Sequence, residues 1–197
     1  NGNTLSGIGR RADEIGYIRF HASSYDPHEA FGVDDVKYLC DLIDEMVDAG
    51  YVDPKRVYCT GYSHGGFMSM RMAVEVPEKI AGIVANAATL LTEYKDKVPA
   101  EKVKIVLING DKDATVPIDG MHYDFDGDGK KEFTWADTLA DSVKWFLELN
   151  GVDASTLKRE MLEDRSPYDT TTVERFAYGE DSAYPVISYV VYNGGHS

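Results

Sequence analysis

The run Gly61-Tyr62-Ser63-His64-Gly65-Gly66 constrains this chain more than any other segment. It follows a short β-like stretch, Arg56-Val57-Tyr58-Cys59-Thr60, and leads into an apolar segment of helical character, Phe67-Met68-Ser69-Met70-Arg71-Met72-Ala73. A Gly-x-Ser-x-Gly on a strand-to-helix corner is the layout of a nucleophile elbow, which requires a sheet with helices packed on it. The sharp turn lifts the Ser63 hydroxyl clear of its own backbone at the end of the sheet. Side chains at 61 and 65 are expected to crowd the adjoining strand and helix, hence the glycines. The helix N-terminus then aims its N–H groups at the place where an oxyanion would develop. The same residues also suit a plainer role, a glycine-rich turn whose serine caps its own helix.

The pattern on either side extends this corner into a fold. Residues 33–49 place Val36, Leu39, Cys40, Ile43, Met46 and Val47 on one helical stripe, with Asp34 and Asp35 at the N-terminus and Gly50 beyond the end. Residues 80–85 and 103–108 read as buried strands, and 173–178 and 186–192 as two more. Residues 134–149 read as a helix with Trp135, Leu139, Val143 and Phe146 on one face. Upstream, residues 8–15 read as the end of a helix stopped by Gly16, 17–20 as a short strand and 21–32 as a loop. Strands alternating with helices predict one α/β domain over residues 1–197, a mostly parallel sheet with helices on both faces.

In such sheets ligands bind beyond the carboxyl ends of the strands. Three loops fall there: Ser63 after one strand, Gly110-Asp111-Lys112-Asp113-Ala114-Thr115-Val116-Pro117 after another, and Asn193-Gly194-Gly195-His196 after the last. A serine hydroxyl is a poor nucleophile until a base takes its proton and a carboxylate orients that base. The order Ser63, then an aspartate, then His196 is the nucleophile–acid–histidine order of the α/β-hydrolases. Asp111 and Asp113 both compete for the acid position, and Asp111 also suits an Asx-type turn. His21, His28 and His122 read as surface loop residues.

Charge and cysteine content set further bounds. A formal charge of -14 repels nucleic acid and anionic membranes, so neither is an expected partner. No apolar run approaches the length of a membrane span. Cys40 and Cys59 sit at apolar-facing positions and read as free buried thiols, with a single disulfide open to an exported protein. Neither belongs to a His/Cys cluster with zinc spacing. Asp124-Phe125-Asp126-Gly127-Asp128-Gly129-Lys130-Lys131-Glu132 resembles the first half of an EF-hand loop, but Trp135 stands where the twelfth-position glutamate belongs. Asp124, Asp126, Asp128 and Glu132 are therefore candidate ligands of a structural Ca²⁺, against the alternative of a solvated acidic turn. Catalysis itself calls for no cofactor.

With these motifs in view, the chain resembles the esterase family that includes polyhydroxybutyrate depolymerases and feruloyl esterases. The similarity runs through Val33-Asp34-Asp35-Val36, through Val52-Asp53-Pro54-Lys55-Arg56-Val57-Tyr58 into the elbow, and through Asn109-Gly110-Asp111-Lys112-Asp113-Ala114-Thr115-Val116-Pro117. It continues in Thr172-Val173-Glu174-Arg175-Phe176 and Tyr192-Asn193-Gly194-Gly195-His196-Ser197. The resemblance implies a catalytic set of Ser63, Asp113 and His196, with the family's catalytic aspartate falling on Asp113. It implies an α/β-hydrolase fold, a secreted serine esterase and a feruloyl or, second, acetyl ester of plant polysaccharide as substrate. The family fold has earlier strands, including a loop that supplies an oxyanion donor, and a final helix. On this comparison the chain is a fragment or trimmed form lacking those first strands and the C-terminal helix. The backbone N–H of His64 can serve as one oxyanion donor, and a second is not identifiable. Rival readings are a polyhydroxyalkanoate depolymerase, a serine peptidase on the same fold, and a non-catalytic remnant. Tyr25, Phe31, Tyr62 and Trp135 are aromatic candidates for a substrate pocket, and residues 21–32 and 121–133 are candidate specificity loops.

Overall fold

The computed structural model describes residues 34–124, 127–129, 131–166 and 168–196. The helix and strand read over 8–20, the loop over 21–32 with His21, Tyr25, His28 and Phe31, and Asp126 of the acidic loop lie outside the described residues. Within them, α1 spans Asp35–Asp48, β1 Tyr58–Tyr62, α2 His64–Glu75, β2 Gly82–Asn86 and β3 Lys104–Gly110. A short pair follows, β4 Met121–Tyr123 and β5 Phe133–Ala136, then α3 Leu139–Asn150. β6 Lys158–Met161, β7 Thr172–Tyr178 and β8 Val186–Tyr192 complete the order.

Six strands form one sheet in the order β1-β2-β3-β8-β7-β6, while β4 and β5 pair separately. The pairs β1–β2, β2–β3 and β3–β8 are parallel, and β8–β7 and β7–β6 antiparallel. This is the mostly parallel α/β sheet that the sequence predicts. Register places Ile83, Ile105 and Val186 abreast, and Ala85 beside Leu107, all of them buried. The alternate positions Val84, Val106 and Ile187 are only partly buried, the period-two alternation of strands with unequally covered faces.

The buried face is covered by α2, which packs on β1 and β2. From Gly66 to Val74 every residue of α2 is buried: Ser69 Oγ donates to the Gly65 carbonyl and Arg71 pairs with Glu75, while Phe67, Met68, Met70, Met72 and Val74 are apolar. Each such side chain contributes about 1.5–3 kcal/mol through burial. One consequence is positional: α2 cannot shift without uncovering this core, so the residue at its head is held rigidly. α1 is capped by the Asp34 carboxylate, which accepts the Lys37 N–H, and Gly50 lies beyond its end at a left-handed φ of 74°.

Several element boundaries differ from the sequence reading: the strands read over 56–60, 80–85 and 103–108 span Tyr58–Tyr62, Gly82–Asn86 and Lys104–Gly110. The helix expected over 134–149 begins at Leu139, and Phe133–Ala136 is a strand paired antiparallel with β4. Thr134 and Trp135 are residues that favour strands, and the Thr138 side chain caps α3 by accepting the Asp141 N–H. The helix thus starts four residues after Trp135, the first apolar residue of the stripe. Strand β6, with all four residues exposed, carries no hydrophobic signal and is held by its ladder to β7. The elbow helix also starts at His64, three residues before the apolar run.

Candidate active site

The elbow forms where β1 ends and α2 begins. Ser63 has φ 55° and ψ -118°, outside the comfortable region for a residue with a side chain, a strain of order 1–3 kcal/mol. Its N–H donates to the Asn86 carbonyl at 2.8 Å, tying the turn to the end of β2. The Ser63 side chain makes no capping bond to its own helix, so the plain capping role does not describe it. Gly61 is required because a Cβ there would lie 2.0 Å from the Gly65 carbonyl oxygen. The second close approach is at Gly66 rather than Gly65. A Cβ on Gly66 would meet the Ala88 methyl at 2.7 Å and the Asn86 carbonyl at 2.9 Å, while one on Gly65 meets nothing within 4 Å. This corrects the expectation of crowding at 65: helix-to-loop packing sets the limit one residue later.

The three loops at the carboxyl edge meet. Ser63 Oγ lies 3.0 Å from His196 Nε2, and His196 Nδ1 lies 2.7 Å from Asp113 Oδ2. The other Asp113 oxygen, Oδ1, accepts the N–H groups of Thr115 at 2.8 Å and Val116 at 2.7 Å. The Asp113 carboxylate is wholly buried, whereas His196 keeps a fifth of its side chain in contact with solvent. A carboxylate in these surroundings accepts, so His196 Nδ1 carries the proton and Nε2 presents its lone pair to the serine hydroxyl. Asp111 is placed differently: its N–H bonds the Val191 carbonyl and its carboxylate lies 3.6 Å from Lys112 Nζ.

Four bonds hold the histidine loop. Lys112 N–H donates to the Gly194 carbonyl at 2.8 Å, and Gly194 N–H to the Val191 carbonyl at 3.1 Å. Asn193, at a left-handed φ of 59°, reaches the Thr170 carbonyl with its side chain at 2.8 Å. The fourth is the Tyr62 hydroxyl, which donates to the His196 carbonyl at 2.8 Å while its ring sits 5.0 Å from the imidazole. Tyr62 thus touches the histidine and does not line the pocket for which its aromatic ring made it a candidate. Tyrosine in an elbow carries no sequence signal for such a contact.

That pocket opens beside Ser63 and His64, with a volume of about 390 Å³, walled by Phe67, Val116, Met121, Tyr123, Phe133 and Trp135. Trp135, an aromatic candidate from the sequence, stands edge-on to Phe67 at 4.9 Å. Phe67, Val116, Met121, Tyr123 and Phe133 carried no individual signal, although the insert at 121–133 did. His122, read as a surface loop residue, lies in β4 with its ring nitrogens 2.8 Å from Thr134 Oγ1 and from the Asp119 carbonyl.

In the acidic loop, Asp124 accepts the N–H groups of Gly127 and Gly129, each at 2.7 Å, so its carboxylate closes the turn. Among the described residues no group of three or more His, Cys, Asp or Glu side chains is placed to hold a metal ion. Both cysteines are free, and burial pushes the Cys59 thiol up to about 12. Among the described residues no helix is long and apolar enough to cross a membrane.

Residues 20–123, just over half the chain, match the family described as phospholipase/carboxylesterase. The chain belongs to the phospholipase/carboxylesterase family. Within it lies the elbow, and the acid loop with Asp113. NocK of Nocardia uniformis subsp. tsuyamanensis, named as an esterase, is 31% identical over 166 residues, covering 83% of this chain and 48% of NocK. Feruloyl esterase B of Piromyces equi is 33% identical over 90 residues, 44% of this chain and 17% of that protein. The chain therefore spans about half the length of NocK and less of feruloyl esterase B. The acetyl xylan esterase of Aspergillus awamori shares the fold, with a TM-score of 0.60 over 96% of this chain and 76% of that one, at 13% identity. The α/β-hydrolase fold expected from the sequence, with its mostly parallel sheet, is thus the fold of this chain.

Proposed function

We propose that this carboxylesterase-family chain is a serine carboxylic-ester hydrolase that works through an acyl-enzyme. The observation that carries the reading is the continuous hydrogen-bonded line from Ser63 Oγ through His196 to the buried Asp113 carboxylate. In the first step His196 Nε2 takes the hydroxyl proton as Ser63 Oγ bonds to the ester carbonyl carbon. The carbonyl electrons move to oxygen, and the oxyanion sits at the head of α2, where the His64 N–H and the helix dipole favour negative charge. The tetrahedral species collapses, the C–O bond to the alcohol breaks, and His196 returns the proton to the departing alkoxide. Water, deprotonated by the same nitrogen, then attacks the acyl group, and the acid leaves as Ser63 regains its proton. Asp113 holds the imidazole in the working tautomer and stabilises the imidazolium formed twice per cycle.

The nucleophile, base and orienting carboxylate all come from side chains, so the reaction calls for no cofactor. Ester rather than amide cleavage is favoured by the esterase names of the relatives. The similarity to feruloyl esterase B supports a feruloyl ester of plant polysaccharide, with acetyl and polyhydroxyalkanoate esters next. A protein that meets such a substrate works outside the cell.

Ser63→Ala is expected to abolish hydrolysis of p-nitrophenyl butyrate and labelling by a fluorophosphonate, with the thermal unfolding curve unchanged. Undiminished turnover in that variant overturns the mechanism.

A further inference from the structure

One wall of the pocket beside the elbow is built by the β4–β5 pair. β4 and β5 stand apart from the main sheet as a two-stranded pair, tied by an isolated bridge from Ala136 to Leu91 in the segment that follows β2. The pair supplies Met121, Tyr123, Phe133 and Trp135 to a wall whose inner side is Phe67 and Val116. Those two are buried to 2% exposure, while Tyr123 and Phe133 are more than two-fifths exposed, with ring centroids 6.2 Å apart. The pocket therefore grades from a dry apolar floor to an aromatic mouth. In a chain with 54 Asp, Glu, Lys and Arg residues, none of the described residues lining it bears a carboxylate, ammonium or guanidinium.

Which half of an ester enters follows from the proton path. The departing alcohol must lie against His196 Nε2 to receive its proton. Ser63 and His64 line the pocket and His196 does not. The group on the pocket side of Ser63 is the one that stays bonded to it, the acyl group.

We infer that the β4–β5 insert forms an acyl-selecting pocket for bulky, uncharged apolar acyl groups of aryl or medium-chain size, in preference to acetyl and to anionic acyl groups. The inference rests on the ester-hydrolase reading and narrows its substrate class. A volume near 390 Å³ is within the range that holds a small ligand, and acetyl would leave most of it empty. Each methylene moved from water onto such a surface is worth about fourfold in kcat/KM, where it is held in the transition state.

The test measures kcat/KM for p-nitrophenyl acetate, butyrate and hexanoate and for p-nitrophenyl 3-phenylpropionate. Wild-type protein is compared with Phe133→Asp and Met121→Trp. The first variant changes a half-exposed position, so folding tolerates it, and the second fills the space. The readout is the ratio of hexanoate or phenylpropionate to acetate, which does not depend on how much of the protein is active. The wild-type ratio is expected to be at least about tenfold in favour of the larger groups, falling about tenfold or more in each variant. A flat series in protein whose Ser63 is labelled by a fluorophosphonate, or a ratio unmoved in both variants, overturns the acyl pocket and leaves the hydrolase reading standing. Hydrolysis of no ester, with Ser63 unlabelled, overturns both.

Discussion

Ser63 is held in an unfavourable backbone conformation by neighbours on both sides: the Asn86 carbonyl on its N–H and close packing at Gly61 and Gly66. The Ser63 hydroxyl makes no cap bond to its helix and meets His196 Nε2 instead. Its neighbour Tyr62 works on the other partner. The Tyr62 hydroxyl is bonded to the His196 carbonyl, so the residue before Ser63 helps to hold His196 in place. Replacing Tyr62 with Phe keeps the ring against the imidazole and removes only that bond. A net hydrogen bond is worth about 1 kcal/mol, so kcat is expected to fall about fivefold, with KM and the melting temperature little changed. A wild-type kcat would show that the histidine loop is held sufficiently by its other three bonds.

At the scale of elements, the antiparallel flank β6–β7–β8 carries the histidine loop and has its own electrostatic tie. Buried Glu174 accepts the Tyr192 hydroxyl at 2.7 Å and the Arg159 guanidinium at 2.8 Å, joining all three strands. The Tyr192 hydroxyl above all, with Arg159, holds the Glu174 carboxyl below its ordinary value against the opposing effect of burial. A carboxyl with a lower pKa folded than unfolded contributes stability above its unfolded pKa, about 4.3, and that contribution disappears as pH falls through the folded value. The melting temperature is expected to drop as pH is lowered below about 4, and Glu174→Gln is expected to flatten that drop. An unchanged acid limb in the variant would assign the loss to other carboxyls. This flank also shows what patterning reveals. β7 and β8 were legible from apolar spacing, but β6 was not, since Lys158-Arg159-Glu160-Met161 becomes a strand only through its ladder to β7. In the same way Trp135 fits a helical stripe with Leu139, yet it lies in β5, at the register shift against β4, because the Thr138 cap starts α3 beyond it.

For the whole molecule, the net charge of -14 surrounds an apolar pocket and a site with one solvent-touched histidine. A surface of that sign repels anionic substrates at a distance, and salt removes the repulsion because the screening length is about 10 Å at 0.1 M. For an ester with a sulfonated leaving alcohol, kcat/KM is expected to rise several-fold from low to high salt, while a neutral ester of the same acyl group stays level. Equal salt responses would place the charge too far from the approach path to matter.

The sequence by itself determined the strand–turn–helix corner, the parallel core strands and the order of serine, acid and histidine. These are local or periodic patterns: a turn needs its glycines within a few residues, and a buried strand or helix needs its spacing. It also carried the resemblance that assigned the acid to Asp113, which the loop's own residues left open between Asp111 and Asp113. Only the tertiary structure decided what depends on atoms about 3 Å apart contributed by distant residues. It set Asp113 against a histidine 83 positions away and that histidine against a serine 133 positions away. It moved the glycine constraint from 65 to 66, turned the Tyr62 hydroxyl onto the His196 carbonyl, and gathered Phe67, Val116 and the insert's aromatic rings into one pocket. Spacing along a chain encodes which face a residue occupies, and folding alone decides which residue it meets there.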